Sequence, residues 1–257
     1  MVKRFSALAM VVCFIVTLPA MASPLDRAEA RAVEYVTAFQ KGEWARAEAL
    51  ASDAALSWVE YVGARDAKTD GILTTDRVES AAIGESVRAK VYYTNSEGQI
   101  RVRYLKLKQV SGDYFVVDDR MLGRDWVSLS YRKGLFPTPQ EIDGVRITVV
   151  GLLEVQPEIK IDFVIENSPT GRERLVLPSL EAFYVVDADG QVKKKYFANP
   201  PQVVPEKPVG PGQKIRSYAI MPYWHVDPVF QGKAWKKVGW VLYIPFGPVD
   251  QFAFDYM

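Results

Sequence analysis

His225 is the only histidine of the 257-residue chain and stands in Pro222-Tyr223-Trp224-His225-Val226-Asp227. Two residues apart on a strand, His225 and Asp227 would share a face, and a carboxylate beside an imidazole orients a general base. Nothing supplies a nucleophile for it, because no Gly-x-Ser-x-Gly turn occurs anywhere in the chain. An imidazole satisfied inside an aromatic loop is the plainer account. A single histidine also excludes a histidine-based metal centre. Asp187-Ala188-Asp189-Gly190 resembles the opening of a calcium loop, but Gly190 falls at the wrong offset and the later acidic ligand is missing. Asp-Gly is the ordinary hairpin turn. No catalytic residue, metal site or cofactor is therefore assigned.

Other residue types point to binding. Trp58, Tyr61, Tyr92, Tyr93 and Tyr104, with Asp53 and Asp76 as acids, are candidates to line a pocket in the first half of the chain. A carboxylate in apolar surroundings has its pKa raised and can exchange protons. The same aromatics would equally fill a core, and no histidine stands among them to complete an acid–base dyad. In the second half, Lys193-Lys194-Lys195 would suit an anionic partner, or serve as a charged edge that deters strand pairing. Trp224 and Trp235, with His225, would form an interaction surface if exposed and close the end of a core if buried. Both readings stand at this level, whereas Trp240 is assigned to core. Five prolines between Asn199 and Gly212 make an extended loop that is either a docking strip or a stiffened crossover.

These residues need elements to position them. Residues 1–22 form an export leader: Lys3 and Arg4, an apolar run from Ala7 to Leu18, and Ala20-Met21-Ala22 before a cut at Ser23. The run is shorter than the roughly 20 residues that span a bilayer, so no transmembrane segment is expected after its removal. The product is exported, periplasmic or secreted, and has lost Cys13, the only cysteine. Thiol catalysis and sulfur-held zinc go with it. An apolar fraction of 49% and a charged fraction of 25% are those of a folded chain. Without Lys3 and Arg4, the 32 basic and 31 acidic residues become 30 and 31. That balance excludes a phosphate-backbone binder, so nucleic acid is not a partner.

Asp26 with Glu29 reads as a capping box opening a helix. Ala28, Ala32, Tyr35, Val36 and Phe39 follow on one face, and Gly42 ends it. A second helix runs from Glu43 to Ala51. Trp58, Val59, Tyr61 and Val62 are buried on either a helix or a strand, and Ala67 to Thr75 is loop. From Glu79 the period becomes two: Val87, Ala89, Val91 and Tyr93 alternate with polar residues. Ile100, Val102 and Tyr104 continue it, then Leu105 and Leu107 change parity, which predicts a bulge near Tyr104. Tyr114 to Val117 is the last strand of this set.

The run Tyr35-Val36-Thr37-Ala38-Phe39-Gln40-Lys41-Gly42-Glu43-Trp44-Ala45-Arg46-Ala47, then Leu105-Lys106-Leu107 and Gly112-Asp113-Tyr114-Phe115-Val116-Val117-Asp118-Asp119, resembles the nuclear-transport-factor-like, or cystatin-like, fold. Exported bacterial domains described as lumazine-binding-like share this outline. The resemblance implies a curved antiparallel sheet wrapping a helix, with a conical pocket that relatives use for binding, packing or catalysis.

Residues 121–143 lose both periodicities and read as a linker, which packs because Trp126, Leu129, Tyr131, Leu135 and Phe136 are too apolar to hang free. From Gly144 the chain is all strand: Val145, Ile147 and Val149; then Ile159, Ile161, Phe163 and Ile165 against Lys160, Asp162 and Glu166. Leu180 to Val186, Ile215 to Met221, Val238 to Ile244 and Phe252 to Tyr256 complete six or seven strands, an antiparallel sandwich. Ile161-Asp162-Phe163-Val164-Ile165-Glu166-Asn167 and Tyr184-Val185-Val186-Asp187-Ala188-Asp189-Gly190 resemble immunoglobulin-like, telokin-type domains. That resemblance implies a binding or spacing role without chemistry of its own.

The expected architecture is thus α+β: leader 1–22, a cystatin-like unit 23–120, a packed linker 121–143 and an immunoglobulin-like β-sandwich 144–257. The expected function is an exported, non-catalytic binding or assembly module for a protein or small-molecule ligand. The alternative is small-molecule binding or enzymatic chemistry in the N-terminal cone.

Overall fold

The computed structural model describes residues 23–120, 127, 130–133, 139–155, 158–171, 182–186, 192–197, 208–222, 237–244 and 247–255. The leader, Trp224, His225, Asp227, Trp235 and the Asp187–Gly190 turn lie outside these residues. Helices and antiparallel sheets make up the described chain, an α+β protein.

Helix α1 (Pro24–Gln40) begins earlier than the Asp26–Glu29 spacing predicts. Ser23 is the N-cap: its hydroxyl accepts from the Asp26 N–H at 3.1 Å, and the Asp26 carboxylate accepts from the Ser23 N–H at 2.9 Å. Pro24 takes the first helical position, where its missing N–H costs nothing. Glu29 instead accepts from the Ser80 hydroxyl at 2.6 Å, tying α1 to the sheet. Ala28, Ala32, Tyr35, Val36 and Phe39 are buried along the predicted stripe. Gly42, at φ +70°, turns the chain into α2 (Trp44–Ala49).

Helix α3 (Asp53–Ala64) settles the ambiguous stretch as helical. Ala55, Val59 and Val62 join the core of the first unit, while Ser57 and Glu60 are buried on another side. A helix covered on two sides shows no single apolar stripe, which is why periodicity left it unread.

The first sheet has the order β1 (Thr74–Ile83), β2 (Ser86–Thr94), β3 (Ile100–Val110), β4 (Asp113–Arg120). Strand β1 starts before Glu79, yet most of it is exposed, so its alternation is faint. Val87, Ala89, Val91 and Tyr93 face α1, and Leu107 and Leu105 stand opposite Val87 and Ala89. The β2–β3 register runs unbroken from Ser86↔Lys108 to Thr94↔Ile100, so there is no bulge at Tyr104. The parity change has another cause: Ile100, Val102 and Tyr104 belong to the outer face, where Ile100 is 71% exposed. The irregularity lies across from Lys106 and Leu107, in β4 between Val116 and Asp118.

The stretch read as a linker contributes two strands, β5 (Tyr131–Lys133) and β6 (Gln140–Ile142), which pair with β7 (Val145–Val155). Strands β8 (Glu158–Asn167) and β11 (Lys214–Pro222) complete the sheet β11-β8-β7-β5. A third sheet has the order β10 (Val192–Phe197), β9 (Ala182–Val186), β12 (Lys237–Ile244), β13 (Gly247–Asp255). On one face of the second sheet Ile147, Ile161, Phe163, Ile165 and Ala219 are buried. On the other, Lys160 and Asp162 are buried as completely, at 0% exposure each. The polar parity of β8 therefore faces protein rather than water. No described helix is long and apolar enough to cross a membrane.

Candidate functional site

Where α1 ends, the sheet does not close on it. A cavity of about 450 Å³ opens between the C-terminus of α1, the side of α3 and the far ends of β2, β3 and β4. Phe39 and Gln40 come from α1, Trp58 and Tyr61 from α3, Tyr93 from β2 and Arg103 from β3. The Trp58 and Tyr61 rings stack with centroids 5.8 Å apart and planes 19° from parallel.

Gln40 and Tyr93 meet at its wall: Gln40 Nε2 donates to Tyr93 Oη at 2.9 Å. The backbone carbonyl of Gln40 is one of the orphan acceptors of a helix end, and the Thr69 hydroxyl donates to it at 2.7 Å. That bond ties the loop beside the mouth to the helix. The Gln40 Oε1 atom is buried without a hydrogen-bond partner. Burial raises the pKa of Tyr93, so its hydroxyl keeps its proton.

Deeper lies a locked acid. Asp119 accepts from the Tyr35 hydroxyl at 2.9 Å and from Arg103 Nε at 2.8 Å, with Arg103 Nη2 also on it. The guanidinium of Arg103 sits 3.8 Å from the Phe39 ring centroid, a cation–π contact inside the protein. Burial would lower the Arg103 pKa, and the Asp119 carboxylate more than offsets this and raises it. Burial, then the Asp119 charge, push the Tyr35 hydroxyl well above its ordinary range.

A second polar cluster joins the two halves of the chain. The ammonium of Lys160 on β8 donates to Ser57 Oγ at 3.1 Å and Glu60 Oε2 at 2.6 Å on α3, and to Asp162 beside it. Arg216 on β11 reaches Glu60 Oε1 at 3.2 Å and pairs with Asp162 Oδ2 at 2.9 Å. The Lys160 ammonium also lies 4.4 Å from the centroid of the Tyr218 ring. The four ionic groups cancel, which is the condition for burying them at tolerable cost. At the edge of this cluster Glu158 accepts from Tyr61 Oη at 2.8 Å and from Arg65 Nε at 2.9 Å. Burial and that bond push the Tyr61 hydroxyl up to about 12. Tyr61 thus belongs to the cavity wall on one side and to the junction on the other.

Of the sequence candidates, Trp58, Tyr61 and Tyr93 line the cavity and the other four do not. Tyr92 and Tyr104 occupy the outer parity of β2 and β3, where Tyr92 lies under Arg77 at 4.3 Å and Tyr104 under Lys90 at 5.9 Å. Asp53 opens α3 at φ +55° and is exposed, paired with Lys133 at 2.5 Å. Asp76 is the exposed, irregularly paired residue between Thr75 and Arg77, accepting from the Thr74 and Thr94 hydroxyls at 2.7 and 2.9 Å. Lys193, Lys194 and Lys195 lie on β10, at the end of the third sheet's strand order, with Lys194 opposite Val185 and Lys195 opposite Tyr184. Trp224, His225 and Trp235 lie outside the described residues.

Sequence reasoning missed Gln40, Arg103 and Asp119 in the cavity and Glu60, Lys160, Asp162 and Arg216 at the junction. For Arg103 a signal existed: it shares the inner parity of Leu105 and Leu107. Among the described residues no group of three or more His, Cys, Asp or Glu side chains is placed to hold a metal ion. Compared with protein-family models, curated proteins and solved structures, the chain matches none.

Proposed function

We propose that this chain is an exported, non-catalytic binding module. Its first unit is a cystatin-like, helix-wrapped cone that takes up a small molecule, and its second is an immunoglobulin-like sandwich that spaces or docks it. The leader pattern of residues 1–22 supports export. The observation that carries the reading is the cavity of about 450 Å³ with an unpartnered buried Gln40 oxygen in its wall. Cavities of roughly 300–1,000 Å³ with aromatic walls and a few placed polar atoms are the usual form of small-ligand sites. The non-catalytic reading is supported by the two acids of the lining: Tyr35 and Arg103 occupy the oxygens of the buried Asp119, and Asp70 stands exposed at the mouth, 3.8 Å from Arg101.

The test is to plug the mouth without touching the core. Ala67 lines the opening and is exposed, so Ala67→Trp adds bulk only there. Protein incubated with a small-molecule extract, washed and denatured should release a compound, by mass spectrometry, that the plugged variant fails to retain. Identical compounds from both proteins would end the proposal.

A further inference from the structure

We propose that the cavity selects its ligand through an amide edge, a hydrogen-bond donor and an acceptor side by side, read by Gln40 and Tyr93. The inference rests on the cavity being a binding site and names what it takes.

Gln40 is 4% exposed and Tyr93 3%, and both line the cavity. One bond joins them, from Gln40 Nε2 to Tyr93 Oη at 2.9 Å. It leaves two hydrogen-bonding valences unused: the lone pairs of Gln40 Oε1 and the proton of the Tyr93 hydroxyl. A buried acceptor left unpaired is destabilising, and a ligand N–H removes that penalty.

The display does not depend on how the amide is turned. As placed, Gln40 supplies the acceptor and Tyr93 the donor. With the amide turned over, Tyr93 donates to the Gln40 oxygen, so the free donor becomes the Gln40 N–H and the free acceptor the Tyr93 oxygen. Either way one donor stands beside one acceptor. The complement is a group carrying N–H and C=O on the same edge, as a primary or cyclic amide does. A carboxylate offers acceptors alone, an ammonium donors alone, and a ketone a single acceptor.

Charge points the same way. The two inner cations of the lining each face a carboxylate, Arg103 on Asp119 and Arg120 3.7 Å from Asp118. Lys68 and Arg101 stand exposed at the mouth, Arg101 3.8 Å from Asp70, so the inner wall does not favour an anion. Phe39 and the stacked Trp58 and Tyr61 rings offer an apolar surface for a flat body attached to that edge.

Benzamide and acetophenone are close in shape, and only benzamide carries the N–H. The isotope-labelled full chain is titrated with each, and the Trp58 indole resonance, assigned with Trp58→Phe, reports occupancy. Benzamide should bind at least tenfold more tightly than acetophenone. Gln40→Leu should erase the preference, bringing the two probes to within about twofold of each other. Gln40→Met, of nearly the same shape but with neither amide donor nor acceptor, should erase the preference too and serves if the leucine variant does not fold. Equal binding of both probes at Trp58 overturns the amide edge and leaves the cavity as a binding site. No shift of Trp58 with either probe, or with toluene as a third, overturns the binding site as well.

Discussion

Lys160 carries its ammonium where no water reaches it, and Ser57, Glu60 and Asp162 must replace the lost hydration. An isolated buried charge costs several kcal/mol, so the cluster holds only while every member is present. Lys160→Met should therefore lower unfolding free energy by roughly 3–5 kcal/mol, because two carboxylates are left with Arg216 alone. The double change Lys160→Met with Asp162→Leu removes a whole pair and should recover much of that loss. Urea unfolding at unchanged slope measures both. Tyr61 and Tyr218 add a pH signature. Each is pushed from an ordinary value of 10.0 up to about 12, chiefly by burial. The native state holds these protons more tightly than the unfolded chain, so their contribution is complete below pH 10 and fades as pH rises to 12. Melting temperature should fall across that window, and less steeply in Tyr61→Phe.

At the scale of elements, α3 organises the molecule. One side packs under the first sheet, the next offers Trp58 and Tyr61 to the cavity, and a third presents Ser57 and Glu60 to β8. The stretch before β7 matters for a similar reason. Tyr131 on β5 lies over Gly151 on β7, so closely that an added Cβ would collide with its ring and hydroxyl. The glycine has no side chain of its own, and the tyrosine covers the gap. Gly151→Ala should cost about 1–3 kcal/mol through forced repacking, read as a lowered melting temperature. Tyr131 also packs with Ala54, Val127 and Leu153, so β5 is held against α3 as well as β7.

At the scale of the whole molecule, the ionic cluster and its apolar seam join the helices and the first sheet to the sheet of β5, β7, β8 and β11. Wild-type protein should unfold in one step, with tryptophan fluorescence and far-ultraviolet circular dichroism coincident in urea. Glu60→Lys sets a third cation beside Lys160 and Arg216 and should separate the transitions. Coincident curves in that variant would show that the junction does not couple the two parts. Because Tyr61 reaches from the cavity to Glu158, the same substitution should also disturb the cavity wall.

Local alternation determined much by itself. Val87, Ala89, Val91 and Tyr93 declare an inner face, Ala28, Ala32, Tyr35 and Val36 a helix stripe, and Ile161, Phe163 and Ile165 a core strand, because period two and period 3.6 report which residues share a side. Periodicity does not say what covers that side. Tyr92 and Tyr104, candidates for a pocket by residue type, stand on the sheet's back, while Lys160 and Asp162 read as the polar half of a strand and are sealed beneath α3. Gln40 carries no pattern at all. Its meaning comes from Tyr93, 53 positions away, and from the gap that opens where α1 stops short of the strand ends. Partners distant in sequence are chosen by packing, and packing is a property of the folded molecule alone.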